Sequence, residues 1–270
     1  MAIKIGHASY DENSKASGGK AGDQTQKEVC TRTWYSSPWD VVLRPKSAAL
    51  AEKSAKACEA ACANPKIGYD QGSRNTLYRY AKLVNFDLAK VTDECECDCS
   101  SLMHVCAIAG GAKLTYGING FWTGNMVDGI MASGDYEKLT DAKYLTSDAY
   151  LKRGDILIRT SGHTAMALEN GSKAGGNTTT NTSTAKPNTS TATVKTTNVA
   201  VTVPLLKKGA TGASVEAMQT LLTAKGFNTK GVDGKFGNDT LAALKEYQRS
   251  EGLEADGECG KLTWTCILNK

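Results

Sequence analysis

A nucleophilic thiol needs a position that favours its thiolate, a base within reach, and a donor for the oxygen it drives negative. The stretch Asp93-Glu94-Cys95-Glu96-Cys97-Asp98-Cys99-Ser100-Ser101-Leu102-Met103-His104-Val105-Cys106-Ala107 contains one such position. Leu102, Val105, Cys106 and Ala109 recur on one helical face, and Gly110-Gly111 closes the pattern. Asp98 is a good N-cap, which places Cys99 at the first helical position. There the positive end of the helix dipole favours a thiolate. Asp93, Glu94, Glu96 and Asp98 oppose it, because neighbouring carboxylates raise a thiol's pKa. The sequence leaves that conflict open.

The chain has three histidines, so the search for a base is short. His104 lies five residues along the same helix, a rotation of about 500°, and so faces away from Cys99. His7 sits in a polar, Gly-rich opening. His163 follows the apolar strand pattern Arg153-Gly154-Asp155-Ile156-Leu157-Ile158-Arg159 and opens a second one, His163-Thr164-Ala165-Met166-Ala167-Leu168. A histidine at the start of a buried strand, facing a helix N-terminus, can reach the thiol there. Cys99 and His163 are the expected catalytic pair.

The count of nine cysteines is odd, so at least one thiol is unpaired within a monomer. Cys95, Cys97 and Cys99 alternate, which is not the knuckle spacing of a structural zinc site. Cys58 and Cys62, four apart on a helix expected from Ser47 to Ala63, read as a packing face. No metal and no cofactor is expected.

The chain has 270 residues, 32 Lys and Arg and 28 Asp and Glu, a net charge of +4. That is too weak for a dedicated nucleic-acid binder. No apolar run approaches a membrane span, and the opening Met1-Ala2-Ile3-Lys4-Ile5-Gly6-His7 lacks the apolar region of a secretory signal. Of residues 177–198, 16 of 22 are Thr, Asn or Ser, too polar to offset their ordering entropy. The expected division is therefore 1–171, a Thr/Asn/Ser-rich linker at 172–202, and 203–270. Residues 1–170 hold 20 basic and 20 acidic side chains, so the whole positive surplus lies in the linker and the C-terminal part.

In that C-terminal part, Val215, Met218, Leu221 and Leu222 predict a first helix closed by Gly226. Leu241, Leu244, Tyr247 and Gln248 predict a second, capped by Asp239 or Thr240 and closed near Gly252; Thr263–Leu268 predicts a short third. Asp233-Gly234 and Asp256-Gly257 are turn dipeptides at matching places before the second and third helices. Together with Leu206-Lys207-Lys208-Gly209, Val232 to Gly237, Tyr247-Gln248 and Thr263-Trp264, these resemble the all-α three-helix peptidoglycan-binding domain of bacterial cell-wall hydrolases.

Asp98-Cys99-Ser100-Ser101 and Arg153-Gly154-Asp155-Ile156, followed by Gly162-His163, resemble the NlpC-type cell-wall cysteine peptidases. The resemblance implies an α+β papain-like fold for the N-terminal part and a phage-lysin-like activity on peptidoglycan. It implies a stem amide bond, D-isoglutamyl to diamino acid, with the muramoyl–L-alanine bond as the chemical alternative. CHAP amidohydrolases share the layout. A non-catalytic wall-binding protein is the rival from another class. Ser101 stands where that family has glycine. The family's third polar group, which orients the histidine, belongs on the strand after the histidine strand, where this chain runs into its linker. Asp23, Gln24 and Glu12, in the polar opening, are the candidates to orient His163 or donate to an oxyanion. Tyr69, in Gly68-Tyr69-Asp70, and Asp98 are candidates for the substrate cleft. The expected partner is cell-wall peptidoglycan, met by a monomer after release from the cytoplasm at lysis, without nucleic acid or membrane insertion.

Overall fold

The structure, a computed structural model, describes residues 2–114, 120–175 and 203–268. The N-terminal part runs β1 (Lys4–Ala8), β2 (Val29–Thr33), β3 (Val41–Pro45), α1 (Ala48–Ala63), β4 (Ile67–Tyr69), α2 (Thr76–Leu83), β5 (Cys95–Cys97) and α3 (Cys99–Gly110). It continues through α4 (Met126–Met131), β6 (Tyr136–Leu139), α5 (Ala142–Leu145), β7 (Ile156–Arg159) and β8 (His163–Ala167). Six strands form one antiparallel sheet in the order β2-β1-β8-β7-β3-β6. β4 and β5 pair in parallel as a separate two-stranded ladder. This part is mixed α and β, as the sequence predicts. Among the described residues no helix is long and apolar enough to cross a membrane. From residue 176 onward the expected linker lies outside the described residues.

α3 and α1 pack together against one face of the sheet. α3 is buried on nearly every side, from Cys99 to Ala107, which is why its residues are small or apolar all round. α1 begins where Ser47 caps Leu50 N–H, as its sequence leads one to expect.

The Arg153-Gly154-Asp155 run fastens β7 to its surroundings. Arg153 bridges Glu52 and Glu59 of α1 and donates to the carbonyl of Leu168. Gly154 has φ +90°, and a Cβ there would lie 2.7 Å from the α1 backbone at Ala51. Asp155 is fully buried and pairs with Arg44 of β3 through Nε at 2.9 Å and Nη2 at 2.6 Å. A bidentate guanidinium fork is what a buried carboxylate needs to remain charged.

The C-terminal part is helical: α6 (Ala213–Ala224), α7 (Asn238–Ser250) and α8 (Lys261–Leu268). Its core gathers Val215, Met218, Leu222, Phe236, Leu244, Tyr247, Trp264 and Ile267. α7 starts two or three residues earlier than predicted, with Gly237 at the cap. The paired Asp-Gly turns mark an internal repeat held by two buried glutamines. Gln219 Nε2 donates to Asp233, the Lys235 carbonyl and Thr240, while its Oε1 accepts from Asp233 N–H and Gly234 N–H. Gln248 repeats this with Asp256, the Glu258 carbonyl, Thr263 and Gly257 N–H. All nine cysteines are free thiols, Cys259 and Cys266 included.

These amides tie each turn to the helix before it, so cutting one leaves several polar groups unsatisfied. Gln248→Ala is expected to destabilise the helical part by about 2–3 kcal/mol, and Gln219→Ala by a similar amount. Urea unfolding followed by tryptophan fluorescence reads this through Trp264. A shift under about 0.5 kcal/mol would show that the turns hold without the amides.

Candidate functional site

The site forms where the N-terminus of α3 meets the N-terminal end of β8. Asp98 caps α3: its Oδ1 accepts from Ser101 N–H at 2.7 Å and from Ser100 Oγ at 2.9 Å. Ser101 Oγ in turn accepts from Asp98 N–H at 2.8 Å, which completes a capping box. The serine that departs from the family's glycine therefore has a structural task. Arg74, just before α2, pairs with Asp98 Oδ2 at 2.9 Å. With its carboxylate engaged on three sides, Asp98 holds the start of the helix.

Cys99 takes the first helical position, as predicted, and is 7% exposed. Its sulfur lies at the backbone N–H of Thr164, the residue after His163. Burial, then the Asp98 charge, pushes the thiol up to about 12, against the pull of the Thr164 and Ser100 N–H groups and Arg74. The conflict left open by the sequence is thus decided against the dipole. Exclusion of water outweighs the two N–H donors, and Cys99 rests as S–H.

His163 heads β8 and rests neutral. Burial lowers its pKa to about 4, with help from Arg159 and Arg32. Its Nε2 lies 3.0 Å from Nδ1 of His7 on β1, the neighbouring strand. His7 is 3% exposed and is held at about 3 by burial, His163 and Arg32. Its Nε2 lies 3.7 Å from Cys30 Sγ on β2. Trp39 packs near the His163 ring, at 6.3 Å between centroids, and Tyr35 lies 5.7 Å from Trp39. The thiol and both imidazoles are thus held uncharged beside an aromatic wall.

The side chain that meets His163 Nε2 is thus on the strand beside it in the sheet, which comes from the other end of the domain sequence. Sequence reasoning looked for it in the polar opening, among Asp23, Gln24 and Glu12, and passed over His7 in the same segment. A signal was present: Ile3-Lys4-Ile5-Gly6-His7-Ala8 is a short strand pattern with one histidine on it.

The three candidates proposed for that role have other partners. Asp23 accepts from Thr25 N–H and Lys27 N–H in its own loop. Gln24 donates to the Ala21 carbonyl, and its N–H reaches Glu28. Glu12 accepts from Lys20 N–H. Each ties the Gly-rich opening to itself. Tyr69 is placed near the thiol: burial first, and then the nearness of Cys99, raises its pKa. Its N–H donates to Glu28, its hydroxyl accepts from Gln71, and exposed Tyr10 packs 6.4 Å from its ring. His104 faces away from Cys99, as the helical rotation predicts, and stacks on Phe121 at 4.3 Å. Among the described residues no cluster of three or more His, Cys, Asp or Glu is arranged to hold a metal ion.

Residues 5–174 match the family model of an endolysin-like domain, and residues 211–267 that of a putative peptidoglycan binding domain. N-acetylmuramoyl-L-alanine amidase CwlL of Bacillus licheniformis is 43% identical over 61 residues, 22% of this chain and 17% of that protein. A spore cortex-lytic enzyme of Bacillus cereus is 41% identical over 59 residues, 22% of this chain and 23% of that protein. The chain thus spans less than a quarter of the length of these curated relatives. The solved SleB N-terminal domain shares 36% identity, covering 26% of this chain and 94% of that one, with a TM-score of 0.25. The Burkholderia AP3 phage endolysin shares 33% over 24% of this chain and 25% of that one, with a TM-score of 0.24. With 170 of its 270 residues inside the first match, the chain belongs to the endolysin-like domain family and carries a helical peptidoglycan-binding domain behind it.

Proposed function

We propose that this protein is an endolysin-type peptidoglycan hydrolase that opens an amide bond of the peptide stem by a thiol mechanism. Residues 1–171 act as the catalytic domain, 172–202 as a linker, and 203–270 as the module that holds the wall. The observation that carries the reading is the His7–His163 hydrogen bond of 3.0 Å behind a cysteine at a helix N-terminus. A helix bearing the thiol against an antiparallel sheet bearing the histidine is also the layout that the NlpC-type, papain-like resemblance implies.

The chemistry follows from which nitrogen is free. His163 Nε2 is taken by His7, so Nδ1 is the nitrogen available to Cys99. As sulfur attacks the stem carbonyl, the thiol proton passes to His163 Nδ1 and a C–S bond forms. The Cys99 backbone N–H, at the helix start, is placed to receive the oxyanion. The C–N bond then breaks and the leaving amine takes the proton from His163. Water attacks the thioester, giving a proton to His163, and Cys99 recovers it on release. With the thiol near 12 and the base near 4, an ion pair is uphill at rest, so proton transfer accompanies attack.

The bond is D-isoglutamyl to diamino acid on the NlpC-type reading. The muramoyl–L-alanine bond is the second reading, favoured by the name of the CwlL relative. The non-catalytic rival rested on a missing orienting group, and His7 stands in that place. Release at lysis remains part of the proposal.

Mass spectrometry of digested muropeptides separates the readings. The first yields new amino groups on the diamino acid, the second on L-alanine, and an inert wall binder yields neither. Cys99→Ala is expected to abolish release of amines while the protein still sediments with walls. His163→Ala should lose about 10²–10⁴-fold in rate, as for a general acid–base group. Cleavage by Cys99→Ala at the normal rate would end the thiol reading.

The pH profile carries a second test. Activity needs His163 neutral, and its pKa is lowered to about 4, so the base is present above that pH and is lost as pH falls through it. Cys99, near 12, stays protonated through neutral pH. The turnover rate should therefore be flat from about pH 5 to 9 and fall only below. An acid limb centred near the ordinary histidine value of about 6.5 would contradict a buried neutral pair.

A further inference from the structure

Cys30 and His7 face one another across the β1–β2 pair: they are directly opposed in the register. The sulfur lies 3.7 Å from His7 Nε2, at the far end of the chain of groups that starts at Cys99. No part of the mechanism above uses this thiol. We infer that Cys30 is a positioning residue whose sulfur accepts the His7 Nε2–H and so selects the tautomer that makes His163 a base. The inference rests on the Cys99–His163 reading.

The argument is a count of protons. Neutral His7 carries one N–H. With that proton on Nε2, directed at Cys30, Nδ1 is bare and accepts from His163 Nε2–H. His163 Nδ1 is then bare and can take the Cys99 proton. With the proton on His7 Nδ1, every link reverses. His163 Nε2 becomes the acceptor, Nδ1 carries the hydrogen, and the pair cannot act as base. A charged His7 would donate from both nitrogens and force the same reversal on His163.

The charged form is opposed by the surroundings, which leaves the Cys30 contact to choose between the neutral tautomers. His7 is flanked by His163 on β8 and by Arg32 and Cys30 on β2, while the Cys62 thiol of α1 lies at its backbone N–H. Burial, His163 and Arg32 all keep His7 uncharged. Burial, Arg159 and Arg32 keep His163 neutral, and Cys99, at the backbone N–H of the next residue, Thr164, stays a thiol. Burial, with the nearby Cys62 and Asp23, also raises the Cys30 pKa, so the site keeps a neutral sulfur rather than a charge. A thiol is a weak acceptor, which suits the task. It biases the tautomer without the carboxylate charge that would raise His7 and His163 toward protonation.

The experiment compares the full-length protein with Cys30→Ala and Cys30→Ser. Turnover on purified walls and long-range ¹H–¹⁵N NMR of the histidine rings are measured. The wild type should show His7 protonated on Nε2 with Nδ1 bare. Cys30→Ala should mix the tautomers and lose about tenfold in kcat at unchanged KM, the size of one net hydrogen bond. Its acid limb should move to lower pH, because His163 then protonates only after His7 changes tautomer. Cys30→Ser, which restores an acceptor, should recover most of the rate. A wild-type His7 carrying its proton on Nδ1 would overturn the inference. So would a Cys30→Ala enzyme with normal kcat and tautomer, and so would a rate loss that Ser fails to recover. These outcomes are read on an enzyme that still needs Cys99, so they stand apart from failure of the thiol mechanism, which the Cys99→Ala digest alone reports.

Discussion

A hydrogen bond between two neutral imidazoles, closing 156 residues of chain, is the constraint on which the N-terminal domain turns. It exists only because β1, the first strand, lies between β2 and β8, the last strand of the domain. That adjacency puts His7 behind His163 and Cys30 behind His7. The sheet thereby supplies three of the four groups in a line that ends at Cys99. The fourth is supplied by α3, packed on the same sheet with its start at Thr164.

The supporting interactions fix one end or the other of this line. The Asp98–Ser101 box and the Arg74 ion pair hold the helix start, so the sulfur cannot drift as the last turn of a frayed helix would. Arg153 and the Arg44–Asp155 pair anchor β7 to α1 and β3, and β7 carries β8 beside it. Burial does the rest. It removes the charges that water would allow, leaving a thiol near 12 and imidazoles near 3 and 4. Residues 1–170 carry evenly balanced charge, so the surroundings of the site add no strong net field. The module behind it carries its own rigidity in two buried glutamines.

Local signals made much of this legible. The cap at Asp98, the position of Cys99, the strand opened by His163, the helix after Ser47 and the three-helix module are short-range patterns, and the structure places them as read. What could not be read depends on pairing at long range. His7 is unremarkable until β1 is known to neighbour β8. The parallel ladder Ile67–Tyr69 with Cys95–Cys97 was hidden because its two strands are three residues each, and Glu96 is buried between two buried cysteines. The thiol's state depended on burial, which outweighed the helix-start donors and which no local spacing encodes.

The central claim is that Cys99 forms a covalent thioester with a stem carbonyl, with His163 as its proton carrier. Acid quenching of a wall digest during turnover, followed by intact-protein and peptide mass spectrometry, tests it directly. The account predicts a protein fraction heavier by one muropeptide acyl group, with the added mass on the peptide containing Cys99. It also predicts that this fraction is absent from Cys99→Ala. Steady turnover with no covalent adduct under any quench, or an adduct on another residue, would contradict it.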